Sequence, residues 1–122
     1  MMKYCLVIDD SAVVRKITRR ILESQKLRVE EAEDGTQALE MCLQQMPDAI
    51  FVDANMPNLD GYDFLRELRK MENGTLPRVL LCATENEVSA IARARHLGAD
   101  NFILKPFDKT YLIEKFIETG VL

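Results

Sequence analysis

Five short apolar runs, each but the last followed by a loop or a stretch of helical period before the next, set the plan of the chain. Ala49–Val52 and Val79–Ala83 are almost unbroken apolar runs, as is Tyr4–Ile8, and such runs belong to parallel strands covered on both faces. Arg28–Ala32 is half polar, which marks an outermost strand, and Asn101–Leu104 supplies a fifth. Between them Val14, Ile17 and Ile21 share one helical face, as do Leu39, Leu43 and Met46, and Phe64, Leu68 and Met71, so helices one to three are amphipathic. A fourth helix is expected from about Asn86 to Leu97 with Gly98 as its stop. A fifth should start after Asp108, stacking Leu112 with Phe116 and Ile113 with Ile117. Pro47, Asn73-Gly74, Pro77 and Pro106 punctuate the joints. The resulting (βα)₅ order predicts an α/β fold, a doubly wound parallel sheet with helices on both faces.

Composition narrows this picture without redirecting it. With 122 residues the chain is expected to form one domain, residues 1–122. A hydrophobic fraction of 48% and a charged fraction of 30% fit neither a disordered nor a membrane class. No apolar run reaches spanning length, and the run ending before Asp9 is too short for a signal-peptide core; a cytoplasmic location is expected. Cys5, Cys42 and Cys82 are odd in number and set in apolar stretches, which suits buried thiols better than disulfides or zinc. A net charge of −4 gives no general attraction to nucleic acid or anionic membranes.

In a doubly wound sheet, ligands bind outside the carboxyl ends of the strands. Here strand one runs into Asp9-Asp10, strand three into Asp53, strand four into Thr84 and strand five into Lys105-Pro106. Two carboxylates about 4 Å apart repel by roughly 4 kcal/mol at an effective dielectric near 20, so such a cluster needs raised pKa values or a cation. Oxygen donors without soft ligands suit Mg²⁺, which binds through one or two carboxylates together with a phosphate. Lys105 then offers a point charge for a phosphate oxygen, Thr84 a hydroxyl, and Asp53 a nucleophilic carboxylate able to form an acyl phosphate. Each residue also has an ordinary alternative, as helix cap, strand residue or surface charge. Their joint placement favours one site.

The segments Val7-Ile8-Asp9-Asp10-Ser11, Val52-Asp53-Ala54-Asn55-Met56-Pro57-Asn58-Leu59-Asp60-Gly61, Ala83-Thr84-Glu85 and Leu104-Lys105-Pro106-Phe107 closely resemble the signature of response-regulator receiver domains. The likeness is greatest to the single-domain chemotaxis receivers and spans essentially the whole chain. It implies a flavodoxin-like sheet in the order 2-1-3-4-5 and a phosphoacceptor role for Asp53 in a histidine-kinase phosphorelay. It further implies Asp10, Asp53 and the backbone carbonyl of Asn55 as direct Mg²⁺ ligands, Asp9 acting through metal-bound water, and Mn²⁺ as a possible substitute. Lys105 would bind the phosphoryl group, and Thr84 would hydrogen-bond to it and draw in the loop after strand four. The Lys105-Pro106 bond is expected to be cis, and Asp60-Gly61 to form the turn into helix three.

Two departures stand out. Phe102 occupies the position of the chemotaxis receivers' rotating tyrosine, so aromatic switching is retained without a hydroxyl. Asn86 stands two residues after Thr84 where an acid is usual; with Asn55 it is a candidate for tuning phosphate lifetime. By the same resemblance, a histidine kinase or histidine phosphotransfer protein would dock through helix one. A downstream protein target would meet the face of helix four, strand five and helix five, with no direct DNA binding or membrane insertion. Arg15, Lys16, Arg19 and Arg20 form a basic stripe on helix one that is either solvated or part of that docking surface. Arg93 and Arg95 lie on helix four, and His96 suits its C-terminal dipole.

Three rival readings use the same elements. An aspartate-nucleophile phosphatase of haloacid-dehalogenase type would place two aspartates one residue apart after strand one, whereas Asp9 and Asp10 are adjacent. An FMN carrier would want Ser, Thr and Gly there, and the two aspartates would repel its phosphate. A receiver serving only as an interaction module would not need the full set of acceptor, metal and phosphate residues.

Overall fold

The computed structural model describes residues 2–84 and 88–122. Ten elements alternate: β1 (Tyr4–Ile8), α1 (Ala12–Ser24), β2 (Arg28–Ala32), α2 (Gly35–Gln44), β3 (Ala49–Asp53), α3 (Gly61–Lys70), β4 (Arg78–Ala83), α4 (Val88–His96), β5 (Asn101–Leu104) and α5 (Lys109–Glu118). The strands form one parallel sheet in the order β2-β1-β3-β4-β5, the flavodoxin-like arrangement expected, with the half-polar β2 at an edge. The start of helix four expected near Asn86 lies outside the described residues. No described helix is long and apolar enough to cross a membrane.

Alternation along the strands divides the core in two. Leu6, Ile8, Ile50, Val52, Val79 and Leu81 face one way, onto Ala38, Cys42, Phe64, Leu65, Leu68 and Ala94 of α2, α3 and α4. Cys5, Val7, Ala49, Phe51, Leu80, Cys82 and Ile103 face the other way, onto Leu22, Leu112 and Phe116 of α1 and α5. Successive side chains of a strand point to opposite faces, so two helical layers need two apolar sets. All three cysteines are buried and free.

The helical faces are rotated from the sequence expectation. In α1 the fully buried positions are Thr18 and Leu22, while Ile17 is 48% exposed. In α2 they are Gly35, Ala38 and Cys42, and Leu43 is 76% exposed. In α2 the buried positions are small residues, and the longer Leu43, like Ile17 of α1, sits at the margin. In α3, Phe64 and Leu68 are buried as expected, and in α5 so are Leu112 and Phe116, whereas Ile117 is largely exposed.

Side-chain caps start α1, α2, α3 and α5. Ser11, Asp34, Asp60 and Asp108 each accept a backbone N–H three residues on, satisfying a donor that the first turn leaves free. Gly98 ends α4 at φ +103°, in the left-handed region open to glycine, and the Ala99 N–H returns to the Ala94 carbonyl at 2.9 Å. Arg69 of α3 binds this corner. Its guanidinium donates to the carbonyls of Gly98, Gly74 and Pro77 and pairs with Asp100 at 3.2 Å.

Candidate functional site

Register brings the polar ends of four strands to one place. On β1, Cys5 and Val7 face α1 and α5, and the next residue of that parity is Asp9. On β3 the series Ala49 and Phe51 leads to Asp53, on β4 Leu80 and Cys82 lead to Thr84, and on β5 Ile103 leads to Lys105. The ladder also holds the flanking backbone. Asp9 N–H donates to Ala32 at 3.2 Å, Ala54 N–H to Cys82 at 2.7 Å and Lys105 N–H to Ala83 at 2.9 Å. Asp53 is the last residue of β3, one position further into the strand than sequence suggested.

Carboxylate oxygens of Asp9, Asp10 and Asp53 lie within 4.8 Å of one another. Asp9 and Asp53 are buried, while Asp10 is exposed. Lys105 reaches into the group. Its Nζ donates to Asp9 Oδ2 at 2.8 Å and stands 3.3 Å from Asp53 Oδ1. Asp9 Oδ1 accepts the Ser11 N–H at 2.9 Å, so both oxygens of Asp9 are engaged.

Burial, and then the neighbouring charge of Asp9, push the Asp53 carboxyl up to about 6, more than Lys105 can offset. Burial would lower the Lys105 ammonium, but its hydrogen bond to Asp9 and the charges of Asp53 and Asp9 leave it raised and protonated. Three carboxylates facing one ammonium are short of positive charge. Oxygen donors in that number, with no thiol or imidazole among them, fit a hard divalent cation such as Mg²⁺.

The segment after β3 is held beneath Asp53. Gly61 N–H donates to the Ala54 carbonyl at 3.0 Å, and a Cβ on Gly61 would run into the Asp53 carbonyl oxygen. Asp60 caps α3 through the Asp63 N–H at 2.8 Å. Asn55, two residues past Asp53, is exposed, and the Lys105-Pro106 bond is cis.

Thr84 and Phe102 flank the cluster differently. Thr84 is exposed and shares with Val14, Ile17, Lys105, Pro106 and Phe107 the lining of a largely apolar hollow of about 390 Å³. Phe102 has the opposite parity from Lys105 and packs half-buried against the α2–α4 side of the core. Glu85 and Asn86 lie outside the described residues.

The basic stripe of α1, uniform in sequence, is divided in the fold. Arg15 and Arg19 are half-buried and hydrogen-bonded to Glu31 of β2 at 3.0 and 2.8 Å, while Lys16 and Arg20 are exposed. Arg15 Nη1 also donates to the Asp9 carbonyl at 2.8 Å, a contact with no sequence signal beyond an acid on the adjoining edge strand. Asp48 and Asp100 lie at the opposite end of the sheet, where each accepts a backbone N–H, from Tyr4 and Val79.

The model of the response regulator receiver domain matches residues 5–117. The chain is 32% identical to the chemotaxis protein CheY of Halobacterium salinarum over 114 residues, 93% of each chain. It is 32% identical to the CheY of Bacillus subtilis, over 93% of this chain and 94% of that one. The solved structure of the chemotaxis protein CheY4 of Vibrio cholerae superposes with a TM-score of 0.93 at 27% identity, covering 98% of this chain and 99% of that chain. A match over nearly the whole length, on a sheet of the same order and with an acidic cluster at its carboxyl edge, replaces the phosphatase and FMN-carrier readings: the chain belongs to the receiver domain family of two-component response regulators.

Proposed function

We propose that this chain is a single phosphoacceptor receiver, residues 1–122, in which Asp53 takes a phosphoryl group from a phosphohistidine donor and thereby changes which protein it binds. The observation that carries the reading is the Asp53 carboxylate, buried between the Asp9–Asp10 pair and the Lys105 ammonium at the carboxyl edge of the sheet.

Asp10, Asp53 and the Asn55 carbonyl would hold Mg²⁺ directly, with Asp9 acting through its water and Mn²⁺ able to replace it. The ion supplies positive charge that offsets both the acidic cluster and the incoming phosphoryl oxygens. An Asp53 carboxylate oxygen attacks phosphorus, an acyl phosphate forms, and the bond to the donor nitrogen breaks. Lys105 already spans Asp9 and Asp53, so one of its N–H groups can turn to a phosphoryl oxygen. The Thr84 hydroxyl, exposed beside Lys105, gains a partner only when the phosphoryl is present. That is the differential contact a switch requires.

Movement of Thr84 would re-seat Phe102 on the neighbouring strand and alter the α4–β5–α5 face that meets the target. Asp60, Gly61 and Pro106 support the site by fixing the backbone on either side of it. Asn55 and Asn86 are read as tuning the lifetime of the acyl phosphate. Receivers accept phosphoryl groups from histidine kinases or phosphotransfer proteins, and the apolar hollow between α1 and Lys105–Phe107 is lined by Lys105, whose Nζ stands 3.3 Å from Asp53 Oδ1. Docking through α1 there would carry a donor histidine to the acceptor.

The test is intact mass after incubation with acetyl phosphate and Mg²⁺. Wild type should gain one phosphoryl group and Asp53→Asn none. Equal gain in both, mapped to another residue, would reject Asp53.

A further inference from the structure

We propose that Arg15 is a positioning residue for the divalent-cation site: by gripping the Asp9 carbonyl it fixes the Asp9–Asp10 peptide and so aims the Asp10 carboxylate. The inference rests on reading the acidic cluster as a Mg²⁺ site, and it concerns how a metal-free protein keeps that site assembled.

Asp9 needs no such help, because Ser11 and Lys105 hold its two oxygens. Asp10 is different. It is exposed, and among the described residues its carboxylate has neither a hydrogen bond nor an ion pair, yet one of its oxygens stays within 4.8 Å of those of Asp9 and Asp53. Two neighbouring anions push that side chain towards solvent. What opposes them is the backbone.

The peptide unit is planar and includes the following Cα, so fixing the Asp9 carbonyl oxygen fixes where the Asp10 Cα sits. Asp9 N–H is tied to Ala32 at 3.2 Å, and the Asp9 carbonyl is tied to Arg15 Nη1 at 2.8 Å. Arg15 is itself immobilised. Its Nε donates to Glu31 Oε1 at 3.0 Å, the other oxygen of Glu31 accepts Arg19 Nη1 at 2.8 Å, and the Arg15 side chain is only 16% exposed. The planar guanidinium serves carbonyl and carboxylate at once in fixed geometry; a lysine ammonium keeps the charge but not the fork.

Arg19 provides the comparison. It shares Glu31 with Arg15, but among the described residues its hydrogen bonds and ion pairs go to Glu31 and Glu23 and not to Asp9 or Asp10. If the α1–β2 ion pairs merely brace the fold, losing either arginine should act alike.

The experiment is a Mn²⁺ titration of the full chain, followed by electron paramagnetic resonance, with a urea midpoint for every variant. Arg15→Ala should weaken Mn²⁺ binding about tenfold, the lower range for residues that orient metal ligands. Arg15→Lys, the milder change, should weaken it less and serves if Arg15→Ala does not fold. Arg19→Ala, which leaves the Arg15 contacts to Glu31 and to the Asp9 carbonyl in place, should weaken it clearly less than Arg15→Ala. Wild-type affinity in both Arg15 variants, or an equal loss in Arg19→Ala, would overturn the positioning role. Asp10→Asn separates this failure from a deeper one: if it too binds Mn²⁺ like wild type, the acidic cluster is not the cation site.

Discussion

Asp53 illustrates how a single residue carries a conflict between stability and reactivity. Its burial and the neighbouring Asp9 charge raise its carboxyl to about 6 from an ordinary 3.8. Between those values the folded metal-free protein holds a proton that the unfolded chain has released. Stability therefore falls as pH rises: the contribution is fully present below about pH 4 and is lost as pH passes through 6. A tenfold difference in proton affinity between the folded and unfolded chain is worth about 1.4 kcal/mol, so wild type should lose on the order of 2 kcal/mol in EDTA between pH 4 and pH 7 that Asp53→Asn does not lose. Urea midpoints of both proteins across that range check the sign. A constant gap between them would show that Asp53 titrates as an ordinary carboxylate. A proton and Mg²⁺ compete for the same oxygens, so the charge shortage that weakens the apo protein is what draws the cation in.

At the scale of elements, the joint after β3 should tolerate change least. A Cβ at Gly61 would run into the Asp53 carbonyl oxygen and meet the Ala54 Cα at 2.8 Å, both backbone atoms that cannot swing aside. Gly61→Ala should cost about 2 kcal/mol, within the range for forced backbone shifts, and should slow Asp53 phosphorylation as well. Leu43→Ser, on the exposed side of α2, should stay within about 0.5 kcal/mol. Denaturant midpoints would rank the two, and the opposite order would mean that the α2 face has been misplaced. The strands were legible in the sequence because a strand buried on both faces leaves few choices: Ala49-Ile50-Phe51-Val52 has no polar side to turn outward. Helical faces were harder. Ala38, Cys42 and Thr18 are small or polar and carry little hydrophobic weight, yet they face the sheet, and the heavier Leu43 and Ile17 are left at the margin. The gathering of Asp9, Asp10, Asp53 and Lys105 was legible because each stands at the carboxyl end of an apolar strand, while the Arg15 contact was not, since a guanidinium on a main-chain carbonyl leaves no pattern in side-chain identities.

Across the whole molecule, one end of the sheet is built for charge and the other for closure. Asp48 and Asp100 at the amino ends accept backbone N–H groups, and Asp100 also pairs with Arg69, whereas Asp9, Asp10 and Asp53 at the carboxyl ends lie together, with the Lys105 ammonium against Asp9 and Asp53. The tether from Lys105 to Asp9 joins the carboxyl ends of β5 and β1. Carboxylate oxygens within 4.8 Å of one another repel by a few kcal/mol at an effective dielectric near 20. Asp10 is exposed, so solvent and salt should reduce its share to under about 1 kcal/mol. Asp10→Asn should then unfold at slightly higher urea than wild type in EDTA. Excess Mg²⁺ should reverse the order, because it binds the assembled cluster and not the unfolded chain. At a hundred times its dissociation constant it would stabilise wild type by about 2.7 kcal/mol, and the mutant, lacking a ligand, much less. Four urea midpoints, two proteins with and without metal, decide the matter. A mutant less stable in EDTA yet equally responsive to Mg²⁺ would make Asp10 a structural residue and move the cation elsewhere.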